Sequence, residues 1–125
     1  MSLSTVNTRA KLGLQAPLVS VEVHLSNGLP AFNIVGLPEA AVKESKDRVR
    51  SAIINSKFES PNRRITVNLA PAELPKTGSR FDLAIAIGIL AASDQAPKQP
   101  LKQFEFIGEL GLSGELRGVK LFCPQ

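Results

Sequence analysis

The chain has 125 residues, the size of a single domain, and 43% of them are hydrophobic, an ordinary share for a soluble globular protein. Its net charge of +4 is a mild basic excess, which suits a nucleic-acid partner without requiring one. The single cysteine, Cys123, excludes an internal disulfide and a thiolate zinc site, and with one histidine in the chain we predict no metal site.

The N-terminal part of the chain predicts three strands. Residues 5–12 and 18–25 alternate polar and apolar side chains, the period of a strand with one buried face, and residues 31–35 continue this pattern. Asn27-Gly28, between the second and third strands, tolerates the positive φ angles of a tight hairpin. We therefore predict that the three strands form an antiparallel meander.

A helix is predicted from Pro38 to about Lys57, because proline and the acidic Glu39 both suit a first helical turn. Its apolar face, predicted to pack on the sheet, comprises Val42, Ser45, Val49, Ala52, Ile53 and Ser56. A basic stripe runs beside that face within about 60° around the helix axis. The stripe comprises Lys43, Lys46, Arg50 and Lys57, and Arg63 and Arg64 follow before the next strand.

The next segment predicts a strand and the central helix of the core. Residues 65–69 alternate as a strand, and Pro71 ends it because proline has no N–H for the ladder. Ser79, three residues before Asp82, predicts a capping box at the start of a helix. Residues 81–92 are apolar on every side apart from Asp82, so we expect this helix to be buried in the protein. At about 18 Å it is too short to cross a bilayer.

The C-terminal part predicts a hairpin. Residues 94–101 form a polar loop with two prolines, and residues 104–110 form a strand. The tripeptide Gly-Glu-Leu occurs at 108–110 and again at 114–116, on either side of a short turn. The element order is βββαβαββ, which predicts an α/β two-layer sandwich with two main helices on one mixed sheet.

Nucleotide hydrolysis is not predicted for this chain. A P-loop needs Gly-x4-Gly-Lys-Ser/Thr, and Lys76-Thr77-Gly78-Ser79 holds these residue types in another order. Ser79 and Lys76 could form a serine–lysine hydrolase pair, in which a desolvated lysine acts as the base. The alternative is that Ser79 caps the helix and Lys76 is solvated.

Two basic features are candidate binding sites. The N-terminus of the core helix carries free N–H groups, so an anion could bind at Gly78, Ser79 and Arg80 with Lys76 nearby. The alternatives are a solvated loop or a domain contact. The basic stripe could follow phosphates along a nucleic acid without reading sequence. The alternative is that it is the wet face of an amphipathic helix.

Three segments, residues 36–56, 64–93 and 106–119, resemble the N-terminal domain of the magnesium-chelatase-like AAA+ ATPases of the ComM and YifB type. The resemblance covers the chain to about Lys120 and implies one domain, 1–120, followed by a tail, 121–125, from a truncation or an artificial junction. In that family the domain precedes an ATPase module, where ATP and Mg²⁺ are expected. The ComM type is a cytoplasmic bacterial hexamer linked to natural transformation, a helicase that promotes branch migration in DNA recombination.

The same segments are similar, more distantly, to the Lon protease domain and to the second domain of the fifth small-subunit ribosomal protein. In Lon, the segment Pro-Lys-x-Gly is followed two residues later by the catalytic serine. That position is Arg80 here, after Pro75, Lys76 and Gly78. The resemblance therefore implies the fold of this family without its peptidase activity.

Two functions stay open, both of them non-catalytic, with no cofactor, membrane or small-molecule substrate predicted for this chain. In the first, the domain engages or gates DNA for the ATPase. In the second, it is a structural module that contacts its own ATPase module and neighbouring subunits of a hexamer. The predicted DNA contacts are Lys43, Lys46, Arg50, Arg63, Arg64, Lys76 and Arg80.

Overall fold

The computed structural model describes residues 2–10, 17–71 and 79–122, the last six of these as backbone only. The strands are β1 (Ser2–Arg9), β2 (Leu18–Ser26), β3 (Ala31–Val35), β4 (Arg64–Ala70), β5 (Glu105–Leu110) and β6 (Leu116–Phe122). The helices are α1 (Glu39–Asn55), α2 (Asp82–Ala92) and a short 3₁₀ helix (Gln99–Gln103). The predicted order βββαβαββ and the mixed α/β architecture are confirmed.

The six described strands form one mixed sheet in the order β3-β4-β2-β1-β5-β6. The pairs β1–β2, β2–β4 and β5–β6 are antiparallel, and the pairs β3–β4 and β1–β5 are parallel. The hairpin predicted from the repeated Gly-Glu-Leu is confirmed. Its turn is closed by the N–H of Gly111, which donates to the carbonyl of Glu115 at 2.8 Å.

The predicted meander is wrong in its third strand. β3 pairs with β4, which lies between β3 and β2. Gly28 does adopt a positive φ of 136°, but this turn only redirects the chain. β4 is the better inner strand, because it has three buried core-facing side chains, Ile65, Val67 and Leu69, whereas β3 has two, Phe32 and Ile34.

Both helices lie on one face of the sheet, and the hydrophobic core lies between the helices and the sheet. α2 contacts β1, β2 and β5, while α1 contacts α2 as well as β3 and β5. The buried face of α1 therefore packs largely on α2, and not only on the sheet as predicted. Gly88 lets α2 approach closely, since a Cβ there would lie 2.6 Å from a methyl group of Val23. The hydroxyl of Ser4 donates to the Gly88 carbonyl at 2.6 Å.

Among the described residues, no helix has both the length and the hydrophobicity needed to cross a membrane. β4 ends at Ala70, directly before Pro71, as the sequence predicts. The loop predicted at 94–101 contains the start of the 3₁₀ helix, which buries Leu101 against the core.

Candidate functional site

The N-terminal end of α2 is built around the carboxylate of Asp82, which is 1% exposed. Arg48 of α1 donates two hydrogen bonds to it, from Nε at 2.6 Å and from Nη2 at 3.3 Å. The hydroxyl of Ser45 donates at 2.9 Å, and the backbone N–H of Leu110 donates at 3.2 Å. One buried carboxylate therefore joins α1, α2 and the end of β5.

Burial and hydrogen bonding act on this carboxylate in opposite directions. Burial raises the pKa of Asp82, because the charged form loses hydration, and the bonds from Arg48, the Leu110 amide and Ser45 counteract it. The hydrogen bond to Asp82 raises the pKa of Arg48 in turn. Both groups are committed to each other, so this arginine is not available to an external anion.

The predicted capping box is wrong. The hydroxyl of Ser79 donates to a carboxylate oxygen of Glu109, and the N-cap residue is Phe81, whose side chain makes no capping hydrogen bond. Asp82 cannot cap the helix because its carboxylate is held by Arg48. Only the backbone N–H of Asp82 reaches back, donating to the carbonyl of Ser79 at 3.1 Å. We call the cluster of Ser45, Arg48, Ser79, Asp82 and Glu109 the α2 mouth.

Arg80 lies next to the α2 mouth and is half-buried. Its carbonyl accepts a hydrogen bond from the N–H of Gly108 at 2.9 Å, and its Nη1 is buried with no partner among the described residues. Lys76 and Gly78 lie outside the described residues. The anion site at Gly78, Ser79 and Arg80 and the pair of Ser79 with Lys76 therefore stay predictions.

A second charged region forms where α1 passes over β3, the strand at one edge of the sheet. The guanidinium carbon of Arg50 lies 5.4 Å from the ring centroid of Phe32 on β3. Arg63 enters the same place from the segment before β4, where its carbonyl accepts the N–H of Ala31 at 3.4 Å. Both arginines line one open cavity of about 280 Å³. We call this region, with Phe32, Arg50, Ser60, Asn62 and Arg63, the β3 edge.

The structure brings together only part of the predicted basic set. Lys43, Lys46 and Arg50 share one side of α1, and Arg48 points about 170° away from their mean direction. The basic stripe and the α2 mouth therefore occupy different faces. Within the described ranges, none of the stripe and strand-start cations takes part in an ion pair. These are Lys43, Lys46, Arg50, Lys57, Arg63 and Arg64.

Two ion pairs between residues distant in sequence were not predicted. Asp82 gave a signal, because the one charge in an apolar helix needs a buried partner. Nothing in the sequence singled out Arg48 as that partner. Arg9 and Glu105 gave no signal, yet Arg9 donates to both carboxylate oxygens of Glu105 at 2.7 Å across 96 residues of sequence. Long-range pairs of this kind depend on the strand order, which local patterns do not determine.

Residues 21–125 match the family described as subunit ChlI of Mg-chelatase. Competence protein ComM of Haemophilus influenzae is 67% identical over 124 residues, which is 99% of this chain and 24% of that protein. The uncharacterized protein YifB of Escherichia coli is 61% identical over 119 residues, covering 95% of this chain and 24% of the relative.

More distant relatives also match along the chain. An uncharacterized protein of Mycobacterium bovis is 40% identical over 124 residues, again 99% of this chain and 25% of the relative. The chain thus spans about a quarter of the length of the curated relatives that it matches.

Proposed function

The chain belongs to the family of subunit ChlI of Mg-chelatase, and we propose that it acts there as a non-catalytic domain that engages DNA through the β3 edge. The observation that carries the proposal is that Arg50 and Arg63, from different elements, line the same open cavity, and no carboxylate of the described residues is paired with either. Two guanidinium groups at one cavity suit the oxygens of a phosphodiester.

The neighbouring groups support contact with a nucleic-acid backbone. Asn62 and Ser60 line the cavity and add neutral hydrogen-bonding groups. Of the other predicted cations, Lys43 on α1 and Arg64 at the start of β4 are exposed, and Lys46 on α1 is half-buried. The aromatic ring in the described lining of this cavity, Phe32, is buried, which favours binding to phosphates over stacking on bases.

The other predicted contacts belong to a separate surface. Arg80 lies beside the α2 mouth, and we propose it, with Lys76, as a second and weaker contact. In the longer relatives, we propose that this domain works beside a hexameric ATPase module that uses ATP and Mg²⁺. There it would guide DNA for a cytoplasmic motor that promotes branch migration during natural transformation.

The experiment is a fluorescence-anisotropy titration of the chain with single-stranded, duplex and branched DNA, each without a 5′-phosphate, at several salt concentrations. We expect Arg50→Gln with Arg63→Gln to weaken binding about tenfold or more and to lower the salt slope by roughly 2 units. The matched control is Lys98→Gln with Lys102→Gln, which removes two cations elsewhere and should change affinity much less.

Two results would contradict the proposal. One is the absence of DNA binding by the chain even at low salt. The other is an equal loss of affinity in the β3-edge variant and in the control variant, since this would reflect net charge alone.

A second candidate function is a structural module that couples subunits, and one observation favours it. Ile54, Phe58, Leu112 and Leu116 expose large apolar side chains, and Phe58 and Leu116 line a cleft between α1, α2 and the β5–β6 turn. Exposed apolar clusters are typical of protein contacts. If Phe58→Ser reduces the sedimentation coefficient of a full-length relative while DNA binding by this chain is unchanged, the structural function gains support over the first.

A further inference from the structure

A second cavity lies where the 3₁₀ helix approaches β1, three strand positions away from β3 in the sheet. It encloses about 430 Å³, within the range of cavities that hold small molecules. One wall comes from β1 and the other from the segment around the 3₁₀ helix. The lining side chains that concern us are Leu3, Thr5 and Asn7 on the first wall and Lys98, Gln99 and Lys102 on the second.

The cavity exists because the sheet is incomplete at this point. β1 pairs with β2 along its whole length, but it pairs with β5 only at Asn7↔Glu105. The 3₁₀ helix occupies the place where β5 would otherwise extend beside Leu3 and Thr5. In the described part of the chain, this stretch of β1 has no ladder partner on that side, so backbone polar groups there remain available to a ligand.

The charge and polarity of the lining side chains indicate which class of ligand the cavity suits. Lys98 and Lys102 are exposed, and within the described ranges neither forms an ion pair and no carboxylate lines the cavity. Leu3 is 54% exposed and gives an apolar surface beside them. The amides of Asn7 and Gln99 can both donate and accept hydrogen bonds. Cations, an apolar wall and two amides together suit an organic phosphate with a flat, hydrogen-bonding body.

We propose that this cavity binds a nucleoside monophosphate, either free or as the 5′-phosphorylated end of a nucleic-acid strand. The phosphate lies at Lys98 and Lys102, and the base lies on Leu3 within reach of the two amides. The ligand is bound and not hydrolysed. The proposal does not depend on the β3 edge, because the two cavities have different lining residues throughout the described ranges.

The test is a titration of the chain with adenosine monophosphate, followed by two-dimensional amide NMR, with inorganic phosphate and adenosine titrated separately. We expect adenosine monophosphate to bind more tightly than inorganic phosphate or adenosine alone. Lys98→Gln with Lys102→Gln should weaken its binding by roughly tenfold or more. Leu3→Ser should weaken the binding of adenosine monophosphate but leave the binding of inorganic phosphate unchanged.

The β3-edge variant, Arg50→Gln with Arg63→Gln, is the matched control and should bind the monophosphate as the original chain does. The proposal is overturned if no saturable shift appears up to about 10 mM, or if the two double variants lose the same affinity. Competition by a 5′-phosphorylated oligonucleotide, but not by its 5′-hydroxyl counterpart, would identify strand ends as the source. Failure of both oligonucleotides to compete, with the monophosphate still bound, would identify the free nucleotide.

Discussion

The α2 mouth and the β3 edge both use an arginine of α1, and they use it in opposite ways. Arg48 is 21% exposed and is bonded to the buried carboxylate of Asp82. Arg50, two residues later, points about 200° away around the helix and faces an open cavity, with no acidic partner in the part of the chain that the structure describes. The comparison shows that the packing partner of a helix decides the role of its basic residues. An arginine that faces a buried carboxylate stabilises the fold, whereas one that faces an open cavity can bind a ligand.

The largest effect is expected at the α2 mouth. Arg48→Ala leaves Asp82 buried without its cationic partner, so the free energy of unfolding should fall by about 3 kcal/mol. Lys43→Ala, on the exposed side of the same helix, should change it by less than about 0.5 kcal/mol. Urea unfolding of both variants measures the difference. Equal stabilities would mean that the two sides of α1 do not differ as described.

The pH dependence of stability gives a second test of the α2 mouth. Because the pKa of Asp82 is raised in the folded state, the native protein binds more protons than the unfolded chain between the unfolded pKa, about 3.9, and the higher folded pKa. Its contribution to stability should therefore fall as pH rises toward the folded pKa and then level off. The stability of the original chain minus that of Asp82→Asn should follow this course. A difference that grows with pH would show that the Arg48 bond outweighs burial.

A third test compares DNA contacts at the two regions. Arg63→Gln should weaken DNA binding about fivefold and lower the salt slope by roughly 0.9 units, because it removes one phosphate contact. Arg80→Gln should have a smaller effect, because Arg80 is half-buried and its Nη1 is shielded from solvent. Anisotropy titrations of the two variants side by side make the measurement. A larger loss for Arg80→Gln would move the principal interface to the α2 mouth.

The smallest effect is expected for Arg50→Lys, which keeps the charge but loses the planar group over Phe32. Unfolding should become easier by about 0.5 kcal/mol, and DNA affinity should fall slightly while the salt slope stays the same. Thermal unfolding and salt titration test these outcomes. If lysine reproduces arginine in both measurements, the stacking on Phe32 contributes nothing.

Much of the fold could be predicted because its signals are local. The alternation in β1, β2 and β4 predicts strands, and the uniformly apolar stretch of α2 predicts a buried helix, as observed. The partner of β3 could not be predicted, because Asn27-Gly28 favours a turn whether or not the flanking strands pair. Pairing is decided by which strand has the longer buried face, and that depends on contacts distant in sequence.

The candidate site, like the fold, could be predicted from the sequence only where its signals are local. The basic pattern predicted Arg50 and Arg63 as DNA contacts. Their approach to one cavity could not be predicted, because it depends on β3 lying beside β4. Ser79 was predicted as a cap from its spacing to Asp82. Its actual acceptor, Glu109, is 30 residues away and belongs to β5. Spacing alone does not account for a competing acceptor on another element.

The parallel pairing of β1 with β5 has a consequence for how the chain is made. β1 leaves the ribosome before β5, its outer neighbour, whose Glu105 pairs with Arg9 across 96 residues of sequence. At ordinary rates of translation, the outer edge of β1 waits roughly 5 to 20 s for that neighbour. An uncovered strand edge is a template for pairing with other chains. The nascent protein therefore passes through an interval in which aggregation competes with completion of the sheet.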